Sequence, residues 1–552
     1  MTLSKPLIIL FAVLSVHSLR ARGTWDVFDH GAKGDGISLD TKAIQNAIDQ
    51  CNQAGGGKVY LHNGKFVSGT LYLKDNVSLY IEAGATLLGS DNLDNYPSIP
   101  SKHPSYTGDY VTNKMLIYAE DARNISILGR GVVDGRGDHW VDGPYASPSF
   151  SVRPRIIHFR GCENIQVRDI TLYNSASWVQ SYQSCKNLII DGITVDSREN
   201  KDIEKPRFSD ARGRNNDGLD LVDCEKVRIS NCYINSGDDA ICLKSFSPDE
   251  ACRDITISNC IVSSNASGIK IGTETAGGFE DITVQNCVVF DTRGDAVSLM
   301  SVDGARIERV MVSGVTARNI KGAAVFIRLG ARNRPYRKNV PINTPILRDV
   351  LIENIKGKRI SNFGCSITGL EEARIENIVL RSIDLEFEGG NKVLRAGEIN
   401  ETMTDEEALR EIDREVPEIE KSYPNGKMFG RLPSYGFYLR HVSNIALDQV
   451  KLRFAEADFR PALICEDVAH INIRNLEAEG TAKTPGLIRL TDVRDALISS
   501  CSPSSDTPVF ISVRGKRSEG IVCLNNNLKK VTRKIDFKGV DQSVLKEIGT
   551  IE

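Results

Sequence analysis

Two short stretches of the chain carry enough acid to do proton chemistry. Asn215-Asn-Asp-Gly-Leu-Asp220 and Ser236-Gly-Asp-Asp-Ala240 put Asp217, Asp220, Asp238 and Asp239 close together along the chain. A single Asp-Gly pair would mark only a turn. Four carboxyls brought to one place are a different case. Like charges held close raise one another's proton affinity, which costs stability and supplies the neutral carboxyl that a general acid needs.

A repeat explains how they meet. Asp239-Ala-Ile-Cys-Leu-Lys244, Ser267-Gly-Ile-Lys-Ile-Gly272, Asp295-Ala-Val-Ser-Leu-Met300 and Ala323-Ala-Val-Phe-Ile-Arg328 recur at one fixed interval, and Asp217-Gly-Leu-Asp-Leu-Val222 fits the same template at a slightly shorter interval before them. Apolar residues fall at the third and fifth places of each segment. A period in the twenties with short alternating strands is the mark of stacked β-coils, which bring equivalent positions to about 4.8 Å. One column then runs Asp217, Asp239, Ser267, Asp295. Lys270 shares a column with Ser298, and Lys244 and Arg328 share that of Met300; alternation aims these three cations outward on the acidic face.

The rest of the chain reads as the scaffold for this column. Asp40 to Cys51 has Ala43, Ile44, Ala47, Ile48 and Cys51 at helical spacing, a helix suited to capping the first coil. From Lys58 onward, rungs such as Ile125-Ser-Ile, Ile165-Gln-Val, Leu188-Ile-Ile, Val227-Arg-Ile and Ile255-Thr-Ile follow one another. The rhythm breaks between about residues 390 and 438. There Thr404-Asp-Glu-Glu407 is a capping box opening a helix expected to reach about Val416 before Pro417. The aromatic segment after it, with Tyr423, Phe429, Tyr435, Phe437 and Tyr438, is expected either to stack on sugar rings or to cover the solenoid's side. Residues 514–552 lose the pattern and are expected to cap the C-terminal end.

Composition narrows the function. Of 552 residues 41% are hydrophobic and the formal net charge is −3, so the basic field of a nucleic-acid binder is absent. Met1 to Ser18, with Lys5 and an apolar run from Leu7 to Val16, reads as a signal peptide, and export to the periplasm or outside the cell is expected for a mature chain from residue 19. That run is shorter than the roughly 20 residues a spanning helix needs. Thirteen cysteines would suggest disulfides in an exported protein. Yet Cys162, Cys185, Cys224 and Cys252 recur once per coil, and Cys232, Cys260 and Cys287 form a second series. Stacks of buried thiols are expected, rather than disulfides or a metal site.

The acidic region closely resembles family 28 glycoside hydrolases, the polygalacturonase family. The family's Asn-X-Asp element matches Asn215, Asn216 and Asp217, and its Asp-Asp pair matches Asp238 and Asp239 at the separation the family shows. Phe28 to Leu88 resembles its N-terminal segment, and Arg153-Pro-Arg-Ile-Ile-His-Phe through Asn174-Ser-Ala-Ser-Trp178 resembles its bacterial members, so the likeness covers about residues 25 to 480. It implies an all-β fold, a single right-handed parallel β-helix. It also implies that Asp238 protonates the leaving oxygen while Asp217 and Asp239 hold and deprotonate the attacking water. Inversion of this kind needs carboxyls roughly 6.5 to 9.5 Å apart, a span that neighbouring coils can provide. Asn215, Asp220 and Ser267 are expected to line the substrate site. Trp178 is either a sugar platform or packed under a loop, and Arg207 to Arg214 is either positive charge beside the cleft or an ordinary basic loop.

The departures from the family pattern concern substrate recognition. The Gly-His-Gly element falls at Ala266-Ser-Gly268, without histidine, and the Arg-X-Lys pair that binds galacturonate falls at Ser298-Leu-Met300, without either cation. Rhamnogalacturonan or decorated galacturonides are therefore expected in preference to plain homogalacturonan. Lys270 and Arg328, with Lys244, are expected either to replace the missing cations or to be solvated charges. A monomeric hydrolase without cofactor or metal is the leading expectation. A calcium-dependent β-helix lyase and a noncatalytic carbohydrate-binding solenoid are the alternatives.

Overall fold

The computed structural model describes residues 23–103, 113–141, 152–198, 215–336, 341–395 and 399–551. The expected signal peptide and the basic loop Arg207 to Arg214 lie outside the described residues. Successive coils stack their strands in parallel, as in Leu219–Val222 against Ile241–Ser245 and that strand against Ile269–Thr275. The all-β reading holds. Among the described residues the antiparallel pairing is confined to the small hairpin of Lys392–Arg395 with Ile399–Thr402.

The coils are held by columns of like side chains. One inward column passes through Ile125, Ile165, Leu188, Val227, Ile255, Ile282, Val310 and Val350, each the register partner of the next, and all are buried. Burying each such side chain contributes about 1.5–3 kcal/mol, so the core grows by a fixed increment with every coil. At the bends, asparagines take the left-handed backbone that other side chains resist. Asn124, Asn164 and Asn187 have φ of 56°, 59° and 56°, and their amides form a ladder: Asn124 donates to Asn76 at 2.8 Å, Asn164 to Asn124 at 3.0 Å and Asn187 to Asn164 at 2.7 Å. All thirteen cysteines are buried free thiols, matching the expected stacks.

The N-terminal helix spans Thr41–Gln53 and buries Ala43, Ile44, Ala47, Ile48 and Cys51, the face its spacing predicts. The insertion's helix is Asp405–Ile412, with the full capping box between Thr404 and Glu407. It stops short of the expected Val416, because the chain turns there to lay Val416 against the solenoid. The C-terminal expectation needs correcting. Strands Glu519–Leu524, Val531–Lys538 and Leu545–Ile548 continue the parallel ladders. The coil persists beyond residue 514 because buried Ile521 and Cys523 still pair with Ala496 and Ile498, although Ile521-Val-Cys-Leu524 is an unbroken apolar run that hides the alternation in sequence.

Candidate active site

The register unites the acids as the repeat predicts. Asp220 pairs with Cys242, Cys242 with Lys270, and Lys270 with Ser298, which places Asp217, Asp239, Ser267 and Asp295 in one column at the strands' entry. Asp217, Asp220, Asp238 and Asp239 are all buried, with Asp238 the least covered at 8% exposure.

Each carboxyl has a different environment. Asp238 accepts from the Asn215 side-chain amide at 2.9 Å and from the Asp239 N–H at 3.1 Å. Its backbone carbonyl is held by Ser236 Oγ at 2.6 Å and Ser264 Oγ. Asp239 accepts from Lys270 Nζ at 2.6 Å and from the Ser267 N–H at 2.9 Å. Burial opposes its charge, but Lys270 and Lys244 overcome that and hold the carboxyl below the usual range. Asp217 lies on the coil before, where burial and Asp220 push its proton affinity well above the ordinary carboxylate value against the pull of Lys244. Burial also pushes Asp220 up to about 7 against the pull of Lys244, and its two oxygens make no hydrogen bond among the described residues.

The expected outward cations are not free on the cleft face, and this is a correction. Lys244, 3% exposed, sits 3.4 Å from Asp217, 3.4 Å from Asp220 and 3.2 Å from Glu274. Burial opposes its charge, yet the surrounding acids keep its proton affinity raised. Lys270 is committed to Asp239. Arg328, 1% exposed, is not brought to the acids at all. It donates to the backbone carbonyl of Glu418 at 2.7 Å and lies over Phe429, so the insertion covers it. The solvated alternative fails for all three; Arg328 is roofed by the insertion, while Lys244 and Lys270 stay within the acid cluster.

Asp217, Asp220 and Cys242 stand close enough to share a metal, but the ammonium of Lys244 is already seated against both carboxyls, so the donor set does not fit a calcium ion, which wants six or more oxygens. Trp178, half-buried one coil before Asp217, packs on Val222, Phe246, Ala276 and Tyr336. Arg155 and Lys244 lie 4.5 and 4.9 Å from its ring centroid. That arrangement combines the two expectations, a ring packed under a loop yet bordering the site.

Two further participants join the site, Glu274 unforeseen in the sequence and Tyr423 from the aromatic segment noted there. Glu274 enters because the register slips: Leu243 pairs with Ile271 but Ser245 with Thr275, so two extra residues bulge from the strand and carry Glu274 back to Lys244. Lys244 and Arg332 outweigh the effect of burial and hold Glu274 at about 2. Tyr423 comes from the insertion, 55% exposed, with its hydroxyl 2.9 Å from Thr273 Oγ1 and 3.3 Å from Lys270 Nζ. The aromatic bias of the insertion was its only signal.

Comparison with known proteins decides the family: the model of glycosyl hydrolases family 28 matches residues 62–404. The chain belongs to glycosyl hydrolases family 28. As a family 28 hydrolase it is 28% identical over 366 residues to a probable polygalacturonase of Vitis vinifera, covering 62% of this chain and 71% of that one. It is 25% identical to an exo-poly-alpha-D-galacturonosidase of Dickeya chrysanthemi, covering 62% and 64%. Among solved structures, the exopolygalacturonase of Thermotoga maritima shares the fold, with a TM-score of 0.55 at 24% identity over 67% of this chain and 88% of that one. The family match ends at residue 404, so the helix Asp405–Ile412 and Tyr423 lie beyond the matched residues.

Proposed function

We propose that this family 28 hydrolase is an exported, inverting glycosidase that removes residues from the ends of pectic chains, with rhamnogalacturonan or decorated galacturonide favoured over plain homogalacturonan. The observation that carries the reading is the contrast between adjacent aspartates: Asp239 is paired with a lysine, while Asp238 is hydrogen-bonded to an amide. In this reading a water oxygen attacks the anomeric carbon as Asp239 takes the water's proton and Asp217 holds the water by a hydrogen bond. Asp238 gives its proton to the leaving oxygen as the glycosidic bond breaks, and the sugar inverts.

The surroundings support attack at a chain end. The Gly426 N–H donates to Asp295 at 3.0 Å, and Met300, Ala323 and Phe326 are sealed beneath Val416, Phe429 and Leu432 of the insertion. A polymer lying along the coils therefore meets a wall one coil beyond Lys270. The same wall occupies the place of the family's galacturonate-binding cations, which favours a sugar recognised differently. No described helix is long and apolar enough to cross a membrane, and we take the mature protein, from about residue 19, to be a single-unit monomer. Chromatography of products from rhamnogalacturonan and polygalacturonate oligosaccharides side by side tests the substrate. Release of monosaccharide from the former supports it; long mixed fragments, or cleavage of polygalacturonate alone, would count against it.

A further inference from the structure

We propose that Lys270 is the positioning residue of the catalytic base, an ammonium from the following coil that fixes the Asp239 carboxylate toward the attacking water. The inference rests on Asp239 being that base. Lys270 Nζ and Asp239 Oδ2 are 2.6 Å apart with both side chains 5% exposed, and the Ser267 N–H meets the other oxygen at 2.9 Å. A carboxylate offers about four lone-pair sites. With one on each oxygen taken by a fixed donor, the rest are aimed rather than free to rotate, which is what a base needs in order to meet a water in one geometry.

The position where the family pattern has histidine carries Ser267, and this chain places its cation slightly further along, at Lys270. The two donors on Asp239 therefore both come from the segment Ser267-Gly-Ile-Lys270. Lys270 is itself held from outside the coil. The Tyr423 hydroxyl lies 3.3 Å from its Nζ and is anchored on Thr273, so the insertion closes over the pair.

Among the described residues, charged and titratable groups face Asp239 from three coils and the insertion. On the preceding coil stand Asp217 and Asp220; on its own coil, Asp238, Cys242 and Lys244; on the following coil, Lys270 and Glu274; and from the insertion, Tyr423. Lys244 is shared among three other acids. Among the described residues Lys270 is the cation in hydrogen-bond contact with Asp239. Its removal leaves a buried carboxylate beside acids, and its proton affinity must rise.

The test compares the pH dependence of kcat/KM in wild type, Lys270→Met, Lys270→Ser and Lys270→Arg on the substrate the wild type cleaves, with thermal melting as the check on folding. Lys270→Met or Lys270→Ser should move the acid limb up by about 1 to 3 pH units, so that one unit below the wild-type limb the rate falls at least tenfold. Lys270→Arg should return the limb toward its wild-type place. An unmoved limb in a folded variant, a rise in KM alone, or failure of both neutral variants to fold would overturn the proposal in favour of a substrate contact or a structural ion pair. A wild type that cleaves no pectic sugar would fail the hydrolase reading instead. The pair is then read without substrate, from the Asp239 carboxylate band in infrared difference spectra against Asp239→Asn. That band should vanish at a higher pH in Lys270→Met, and an unchanged titration would overturn the proposal.

Discussion

Asp238 and Asp239 are chemical neighbours with opposite assignments, and the difference lies in what each touches. Each accepts one backbone N–H, and Asp239 also meets the Lys270 ammonium, which favours the charged form. Asp238 has Asn215, an amide able to hold a carboxyl group in place through its proton transfer. Replacing Asp238 by Asn should lower turnover by about 10²- to 10⁴-fold with an unchanged melting temperature and near-unchanged KM, as kinetics beside calorimetry would show. Two other buried aspartates link stability to pH. Burial pushes Asp220 and Asp223 up to about 7. The folded state therefore binds these protons more tightly than the unfolded chain. Their contribution is complete below about pH 4 and lost as pH rises through about 7. Melting temperature should fall between pH 5 and pH 8, and Asp223→Asn should flatten that fall. A steeper fall in the variant would show the linkage to be wrong. The acids were legible in the sequence because they stand in two motifs on one repeat. Glu274 was not, because a bulge does not disturb the apolar pattern that defines the register.

The insertion is the element that distinguishes this hydrolase from a bare coil. Its helix is written in its capping box, and its aromatic run announces a packing surface, but neither shows where it docks. Docking depends on backbone carbonyls meeting buried arginines. Arg328 reaches Glu418, Arg440 reaches Val416 at 2.6 Å and Arg489 reaches Ile412 at 2.8 Å. Carbonyl partners carry no sequence signal, which is why Arg328 reads in sequence as either a substrate contact or a solvated charge and proves to be an anchor. Tyr423→Ala, which removes the hydroxyl beside Lys270, should lower kcat/KM by roughly 2- to 10-fold, the worth of one aromatic contact; an unchanged value would show that Tyr423 supports neither Lys270 nor the substrate. Replacing residues 404–434 by a short linker, with the newly bared Met300 and Phe326 made polar, should lengthen the first products released from polymer. Unchanged product lengths would show that the wall does not set where the chain is cut.

At the scale of the whole molecule, fold and site are one device. The same parallel stacking that buries a column of isoleucines and valines also lays Asp217, Asp239 and the Lys270 coil side by side, so the chemistry needs no second domain. The repeat made this architecture readable, and it also misled at the C-terminus, where polar residues conceal the final coils. Because the cysteines are buried free thiols and the acid cluster is seated on Lys244, reductant should leave the melting temperature unchanged and chelator should leave activity unchanged. Loss of activity with chelator, restored by calcium, would revive the lyase alternative. The most direct test of the mechanism follows the anomeric proton of the first-formed sugar by NMR as the enzyme cleaves an α-linked pectic oligosaccharide. The account predicts that the β-anomer appears first and mutarotates afterwards, with no signal from Asp238→Asn. An α-anomer at the earliest times, or an unsaturated ultraviolet-absorbing product, would contradict it.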